Sequence, residues 1–210
     1  LVIAATPTPE PLERGPVKLV VGDHELPSLA DLASAITRAH RAGRPVAVHC
    51  VTRVALVLAL AAWSEVGAVA GDRIEHASVV PVELIETIAS LGLRVVTQPG
   101  FVHAHGDRYL RDVEPEDVDH LYRCGSLVAA GIPLGLSTDA PFGPADPWLV
   151  IAAAADRRTA GGASLGADVT NQLGVGHNTY PPDYSTAARR ASYGSQPSQP
   201  DNTAGDAGNP

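Results

Sequence analysis

Three residues of this 210-residue chain, His49, His76 and Asp139, have the types and spacing that chemistry needs. His49 closes the apolar run Pro45-Val46-Ala47-Val48, and His76 closes Arg73-Ile74-Glu75. Asp139 follows the run Ile132 to Ser137 as Ser137-Thr138-Asp139. Two imidazoles and a carboxylate are a ligand set for zinc or a similar divalent ion. Each has a plainer reading alone. A histidine at a strand end is often a hydrogen-bonded loop residue, and an aspartate before Ala-Pro-Phe-Gly-Pro is often a turn residue. At equivalent ends of serial parallel strands, however, the three point into one volume, and the conjunction favours a metal site.

Lys18 is the next candidate. It interrupts the apolar run Pro16-Val17-Lys18-Leu19-Val20, where a covered strand rarely tolerates an unpaired charge. A lysine reaching solvent from the strand end is the alternative. The chain has 14 arginines and this single lysine, as though arginine would not serve here. An amine with a lowered pKa acts as a base, forms a Schiff base, or adds carbon dioxide to give a carbamate that bridges two cations. His103 and His105 spell H-x-H, but they fall in what reads as a long loop, which weakens them as ligands. His24 follows the first strand and is a candidate to face the pocket. His40 and His120 read as helix residues and His177 as a tail residue. Strand alternation sends Glu75 away from His76, toward a helix layer or into a salt bridge.

The elements that would position these residues repeat from residue 16 to about 157 as short apolar run, helix, short run. The runs are Val17–Val21, Pro45–His49, Arg73–His76, Leu93–Thr97 and Ile132–Ser137. Between them, Ser28 with Asp31 caps a helix whose buried face is Leu29, Leu32, Ala33 and Ile36. A second helix spans about Arg53 to Val66. A third follows Pro81 with Leu84, Ile85, Ile88 and Leu91 inward. Pro115 opens one helix carrying Val118, Leu121, Tyr122 and Leu127 or Val128, and another runs from about Pro147 to Arg157. Serial β–α units imply a parallel sheet, in either a (β/α)₈ TIM-barrel type or a doubly wound fold. A barrel takes ~250 residues, so five units make an incomplete one. Residues 1–159 thus read as a partial barrel domain. Residues 160–210, rich in Gly, Ser, Pro, Asn and Gln without periodicity, read as a polar, low-complexity, disordered tail or the product of a frameshift.

Composition narrows the class. The net charge of −8 argues against nucleic acid and anionic membranes as partners. The longest apolar stretch, Val54 to Ala62, is too short for a bilayer span of ~20 residues. Cys50 and Cys124 are too few for a disulfide framework and read as cytoplasmic thiols. A chain without methionine that begins at Leu1 reads as a fragment, or else as a processed product.

The ordered set Val17-Lys18-Leu19, Val46-Ala47-Val48-His49, Arg73-Ile74-Glu75-His76-Ala77, Val96-Thr97-Gln98-Pro99, Ser137-Thr138-Asp139-Ala140-Pro141 and Asp146-Pro147-Trp148 resembles the amidohydrolase superfamily. The branch it resembles is amidohydrolase 3, which includes N-substituted formamide deformylase-like enzymes. The resemblance spans roughly residues 15 to 158 and implies strands four to eight of a metal-dependent hydrolase barrel. It implies that Lys18, carboxylated in many relatives, bridges two metals. His49 and His76 would be ligands, and Asp139 both a ligand and the catalytic acceptor of the attacking water's proton. The cofactor would be one or two divalent ions, most simply zinc, and the substrate a small molecule with a non-peptide carbon–nitrogen bond. Phe101, His103, Tyr109, Phe142 and Trp148 are the candidate substrate-lining residues. The family's strand-one H-x-H is absent from this chain, so the fragment alone is expected to bind metal weakly and to be inactive. A related ester or phosphoester hydrolase and a non-catalytic relic are the rival readings.

Overall fold

The computed structural model describes residues 2–4, 15–22, 25–166 and 168. The chain divides into Leu1–Val175 and a second unit, Gly176–Pro210, which lies outside the described residues. The elements are β1 (Val2–Ala4), β2 (Val17–Val20), α1 (Leu29–Arg41), β3 (Val46–Cys50), α2 (Arg53–Val66), β4 (Arg73–His76), α3 (Val82–Ser90), β5 (Arg94–Thr97), α4 (Gly100–Asp112), α5 (Pro115–Val118), α6 (Cys124–Ala129), β6 (Leu134–Leu136) and α7 (Pro147–Asp156). Among the described residues no helix is long and apolar enough to cross a membrane.

Local chemistry sets the helix ends. The Ser28 hydroxyl accepts from the Asp31 N–H at 3.1 Å and donates to the Asp31 carboxylate at 2.7 Å, closing the first turn of α1. Arg38, His40 and Arg41 sit in its last turn, where cations suit the helix dipole. Thr52 caps α2 through the Ala55 N–H. Gly67 ends α2 at φ 79°, a conformation that favours glycine.

The six strands lie side by side in chain order, β1-β2-β3-β4-β5-β6. Neighbours from β2 to β6 are parallel, and β1 is antiparallel to β2. A doubly wound sheet reverses its strand order at a switch point, and this one does not. Right-handed crossovers taken always in the same direction put the helices on one face. Burial agrees. Val17, Leu19, Val21, Val46, Val48, Cys50, Ile74 and Val95 share one core with α1, α2, α3 and Leu127 of α6. The alternate residues, Lys18, Val20, Ala47, His49, Arg73, Glu75 and Val96, form the opposite face.

Four expectations need correction. The long loop after the fourth run is the helix α4, because its inward stripe is aromatic and glycine rather than aliphatic. The helix opened by Pro115 is two short helices, α5 and α6, parted by a turn in which Tyr122 takes φ 47°. β1 was not expected as a strand. Residues 160–166, grouped with the tail by composition, pack on the body. There Leu165 is fully buried, and Asp107 accepts from Thr159 Oγ1 at 2.5 Å and from the Gly161 N–H at 2.9 Å. The tail expectation for residue 167 and residues 169–210 falls outside the described residues, as do His24 and His177.

At the N-terminal end of the sheet, the Asp72 carboxylate is buried and accepts from the Val46 N–H (2.7 Å), the Val69 N–H (3.0 Å) and the Trp63 indole (2.9 Å). His40 lies 2.9 Å from it, so this histidine is a pairing residue. One carboxylate thus ties α1, α2, β3 and the entry to β4 together. Removing it strands several buried donors at once. Asp72→Ala is expected to cost about 3–5 kcal/mol, read as a lower urea midpoint, with Asp72→Asn milder because it keeps one acceptor oxygen.

Candidate metal centre

His49 lies on the helix-free face of β3, paired in register with Glu75. His76 is in register with Cys50, so strict alternation would turn it toward the helices. The backbone prevents this. His76 takes φ 73° and Ala77 φ 44°, which ends the extended chain. The His76 ring then stands edge-on to that of His49, with centroids 4.4 Å apart. Glu75 therefore does not turn to the helix layer. It stays on the His49 face and pairs with Arg73 Nε at 2.6 Å.

The His76 ring is held from the next strand. Its Nδ1 meets Gln98 Oε1 at 2.8 Å, and Gln98 Nε2 donates to Ser137 Oγ at 2.9 Å. Gln98 and Ser137 were not singled out by sequence reasoning as site residues. The Val96-Thr97-Gln98-Pro99 motif was the available signal.

Lys18 lies on the same face, half-buried. Burial lowers its pKa from the usual ammonium value and Arg73 adds to that, while Glu75, Asp139 and Cys50 oppose it. The lowered value means that protonating Lys18 works against folding, so this contribution improves as pH rises through the folded pKa toward the unfolded one. Asp139 follows β6 at φ 53°. Its carbonyl accepts from the Phe142 and Gly143 N–H groups in a turn that contains a cis Ala140–Pro141 peptide. A Cβ on Gly143 would collide with the Thr138 carbonyl oxygen and the Phe101 ring, so glycine is required for this turn to close.

Phe101, His105 and Tyr109, four residues apart on α4, form one aromatic stripe. Phe101 stacks on His105 at 5.4 Å, and Tyr109 stacks on Tyr122 at 6.2 Å. Positions two apart on a helix diverge, so the H-x-H does not act as a pair. His105 joins the stripe, whereas the His103 carbonyl accepts from the Ala160 N–H at 3.0 Å, beside the contacts of Asp107 with residues 159–161. His105 and Tyr122 thus pack with two of the candidate lining residues, Phe101 and Tyr109, and were not singled out from the sequence as site residues. Phe142 and Trp148 are 76% and 48% exposed. A cleft of about 450 Å³ between Leu110 and Asp119 shares no residue with the histidine pair. Both cysteines are buried and neither forms a disulfide, and burial pushes the Cys124 thiol up to about 12.

His49 and His76 fit a divalent ion as two nitrogen donors on one side. Among the described residues no group of three or more His, Cys, Asp or Glu gathers at one point, so Asp139 does not join them as a third ligand. Lys18 would become an oxygen donor only as a carbamate.

The amidohydrolase family model matches residues 7–182. The chain belongs to the amidohydrolase family. It is 30% identical over 152 residues to "Putative amidohydrolase YtcJ" of Bacillus subtilis (strain 168), covering 71% of this chain and 28% of that protein. The crystal structure of an uncharacterized metal-dependent hydrolase from Pyrococcus furiosus aligns with TM-score 0.55 and 37% identity, over 61% of this chain and 27% of that one. One from Pyrococcus horikoshii OT3 aligns with TM-score 0.59 and 32% identity, over 70% and 31%. This amidohydrolase chain therefore spans under a third of the length of these relatives. Its parallel α/β sheet is consistent with a partial TIM-barrel-like fold, and its family membership with a hydrolase.

Two predictions follow from the Asp139 end of the site. Gly143→Ala is expected to lower stability by about 1–3 kcal/mol through overpacking, seen as a fall in melting temperature. Burial raises the Tyr122 phenol well above its usual value, with Tyr109 next in effect and Asp139 contributing. A raised folded pKa leaves stability intact below the ordinary phenol range and removes it as pH rises through that range. In an ultraviolet titration the last tyrosine to ionise, doing so as the fold is lost, is expected to disappear in Tyr122→Phe.

Proposed function

We propose that the chain is the C-terminal part of a metal-dependent amidohydrolase of the N-substituted formamide deformylase-like kind, cleaving a non-peptide carbon–nitrogen bond. On this reading β2 to β6 are strands four to eight of a (β/α)₈ barrel. Strand order equal to chain order, with a single helix-covered face, supports it. The observation that carries the functional reading is the contact of His49 with His76 on the helix-free face that also bears Lys18. A strained strand end that turns one imidazole onto another is hard to explain by packing alone.

His49, His76 and a carboxylated Lys18 would hold the ion, most simply zinc, with further ligands supplied from outside this chain. Bound there, a divalent ion would polarise the scissile carbonyl and acidify water toward pKa ~7. Asp139 would accept the proton of the attacking water. Phe101, Tyr109, Phe142 and Trp148, with His103 at the margin, would line the small-molecule site. Two buried thiols that form no disulfide support a cytoplasmic setting.

The test compares the chain as given with one extended by the upstream part its relatives carry. The given chain should hold zinc weakly and show no turnover on a panel of N-formyl and N-acyl amides. The extended protein should hold one or two ions by elemental analysis, show a ¹³C carbamate signal that Lys18→Arg abolishes, and lose about 10²–10⁴-fold in kcat on Asp139→Asn. Full activity in Asp139→Asn would remove the role given to that residue.

A further inference from the structure

We propose that Gln98, anchored by Ser137, sets the tautomer of His76 and so determines whether its Nε2 can bind a metal ion. The inference rests on the metal reading above and adds a positioning residue to it.

A neutral imidazole carries one N–H and one lone pair, on different nitrogens, so the partner of one nitrogen dictates what the other offers. Gln98 turns its Oε1, an acceptor, toward His76 Nδ1 at 2.8 Å. Nδ1 must then be the donor, and Nε2 carries the lone pair a cation needs. With the carboxamide reversed, its N–H would donate to Nδ1, the ring proton would move to Nε2, and His76 could not be a ligand through that atom. Ser137 does not choose between these states, because a hydroxyl both donates and accepts. It does hold the carboxamide in place, at 2.9 Å from Gln98 Nε2. Ser137 is itself fixed by its N–H donating to the Thr97 carbonyl at 2.9 Å.

The relay links the C-terminal ends of β4, β5 and β6, and Gln98 is 3% exposed, so water has little access to substitute for it. The residue type also matters. A carboxylate would accept from Nδ1 equally well but would add a buried charge to a site where Glu75 and Asp139 already act on Lys18. A carboxamide orients the ring without that charge. Groups hydrogen-bonded to a ligating histidine are worth ~10–100-fold in metal affinity.

The experiment uses the metal-free 210-residue chain, ¹⁵N-labelled, at mildly alkaline pH where imidazoles are neutral. Long-range ¹H–¹⁵N correlations report each ring's tautomer, and the His76 signal is the one that His76→Asn removes. The wild type should be the Nδ1–H tautomer. Gln98→Glu should keep it, whereas Gln98→Leu should shift the population toward Nε2–H and weaken Zn²⁺ binding, titrated against a chelator, by ~10–100-fold. A wild type in the Nε2–H form overturns the proposal, whether or not any variant folds. So does a folded Gln98→Leu that keeps both the tautomer and the Zn²⁺ affinity within about twofold. If the wild type takes up no Zn²⁺ at all, the metal reading fails, and the tautomer populations alone decide the relay.

Discussion

The geometry of this chain turns on the backbone at the end of β4. His76 and Ala77 both lie in the left-handed region, at φ 73° and 44°, where a non-glycine residue costs of order 1–3 kcal/mol. Such a turn persists only where its surroundings over-determine it. Here the next residues, Ser78, Val79 and Val80, are buried and docked on the segment after α5. The Ser78 carbonyl accepts from the Tyr122 N–H at 2.8 Å, Val79 bridges to Leu121, and the Val80 N–H donates to His120 at 2.9 Å. That segment has a clamp of its own. Arg157, buried and itself left-handed at φ 49°, donates to the carbonyls of Tyr122, Leu121 and Leu165. His76, Tyr122 and Arg157 are thus successive links between α7 and the histidine pair. This also explains why residues to Leu165 belong to the folded body: they supply one of the three carbonyls that a buried guanidinium requires.

The two ends of the sheet have different tasks. At the N-terminal end the buried carboxylate of Asp72 is met by groups from α1, α2, β3 and the loop before β4, which is a stability arrangement. At the C-terminal end His49, His76 and Lys18 are half-buried, come from three neighbouring strands and share one face, with Asp139 apart from them after β6. In parallel α/β folds chemistry is built at the C-terminal end because loops there vary without disturbing strand pairing.

Much of this was legible in the sequence, for identifiable reasons. α2 appears over the residues its apolar pattern marked, and α1 begins at the serine that caps it, because burial and capping act locally. The run Arg73–His76 is a strand as read. What the sequence hid depended on tertiary contacts. Alternation put Glu75 and His76 on opposite sides of the strand, but the backbone leaves the β region at His76 and brings both to one side, where Glu75 makes the salt bridge that was its other expected fate. α4 was missed because Phe101, His105 and Tyr109 are not an aliphatic stripe, and because Gly106 is buried to admit Thr159 and Leu165 rather than to break a helix. The H-x-H looked like a ligand pair because that spacing shares a face on a strand. On a helix it does not, and the two side chains part.

The solitary lysine gains a physical setting from the same face. Lys18 shares it with Arg73 and Glu75, whose ion pair at 2.6 Å already provides a permanent cation there. A second guanidinium at position 18 would stay charged at any working pH, facing Arg73 across half-buried surroundings. An ammonium differs because it can give up its proton, and burial already acts on Lys18 in that direction. The strand thus holds an ammonium, which unlike a guanidinium can become neutral, in a chain whose other Lys and Arg positions are all arginine. A neutral amine is also the form that takes up carbon dioxide, and the resulting anion would turn a position facing Arg73 from repulsive to attractive.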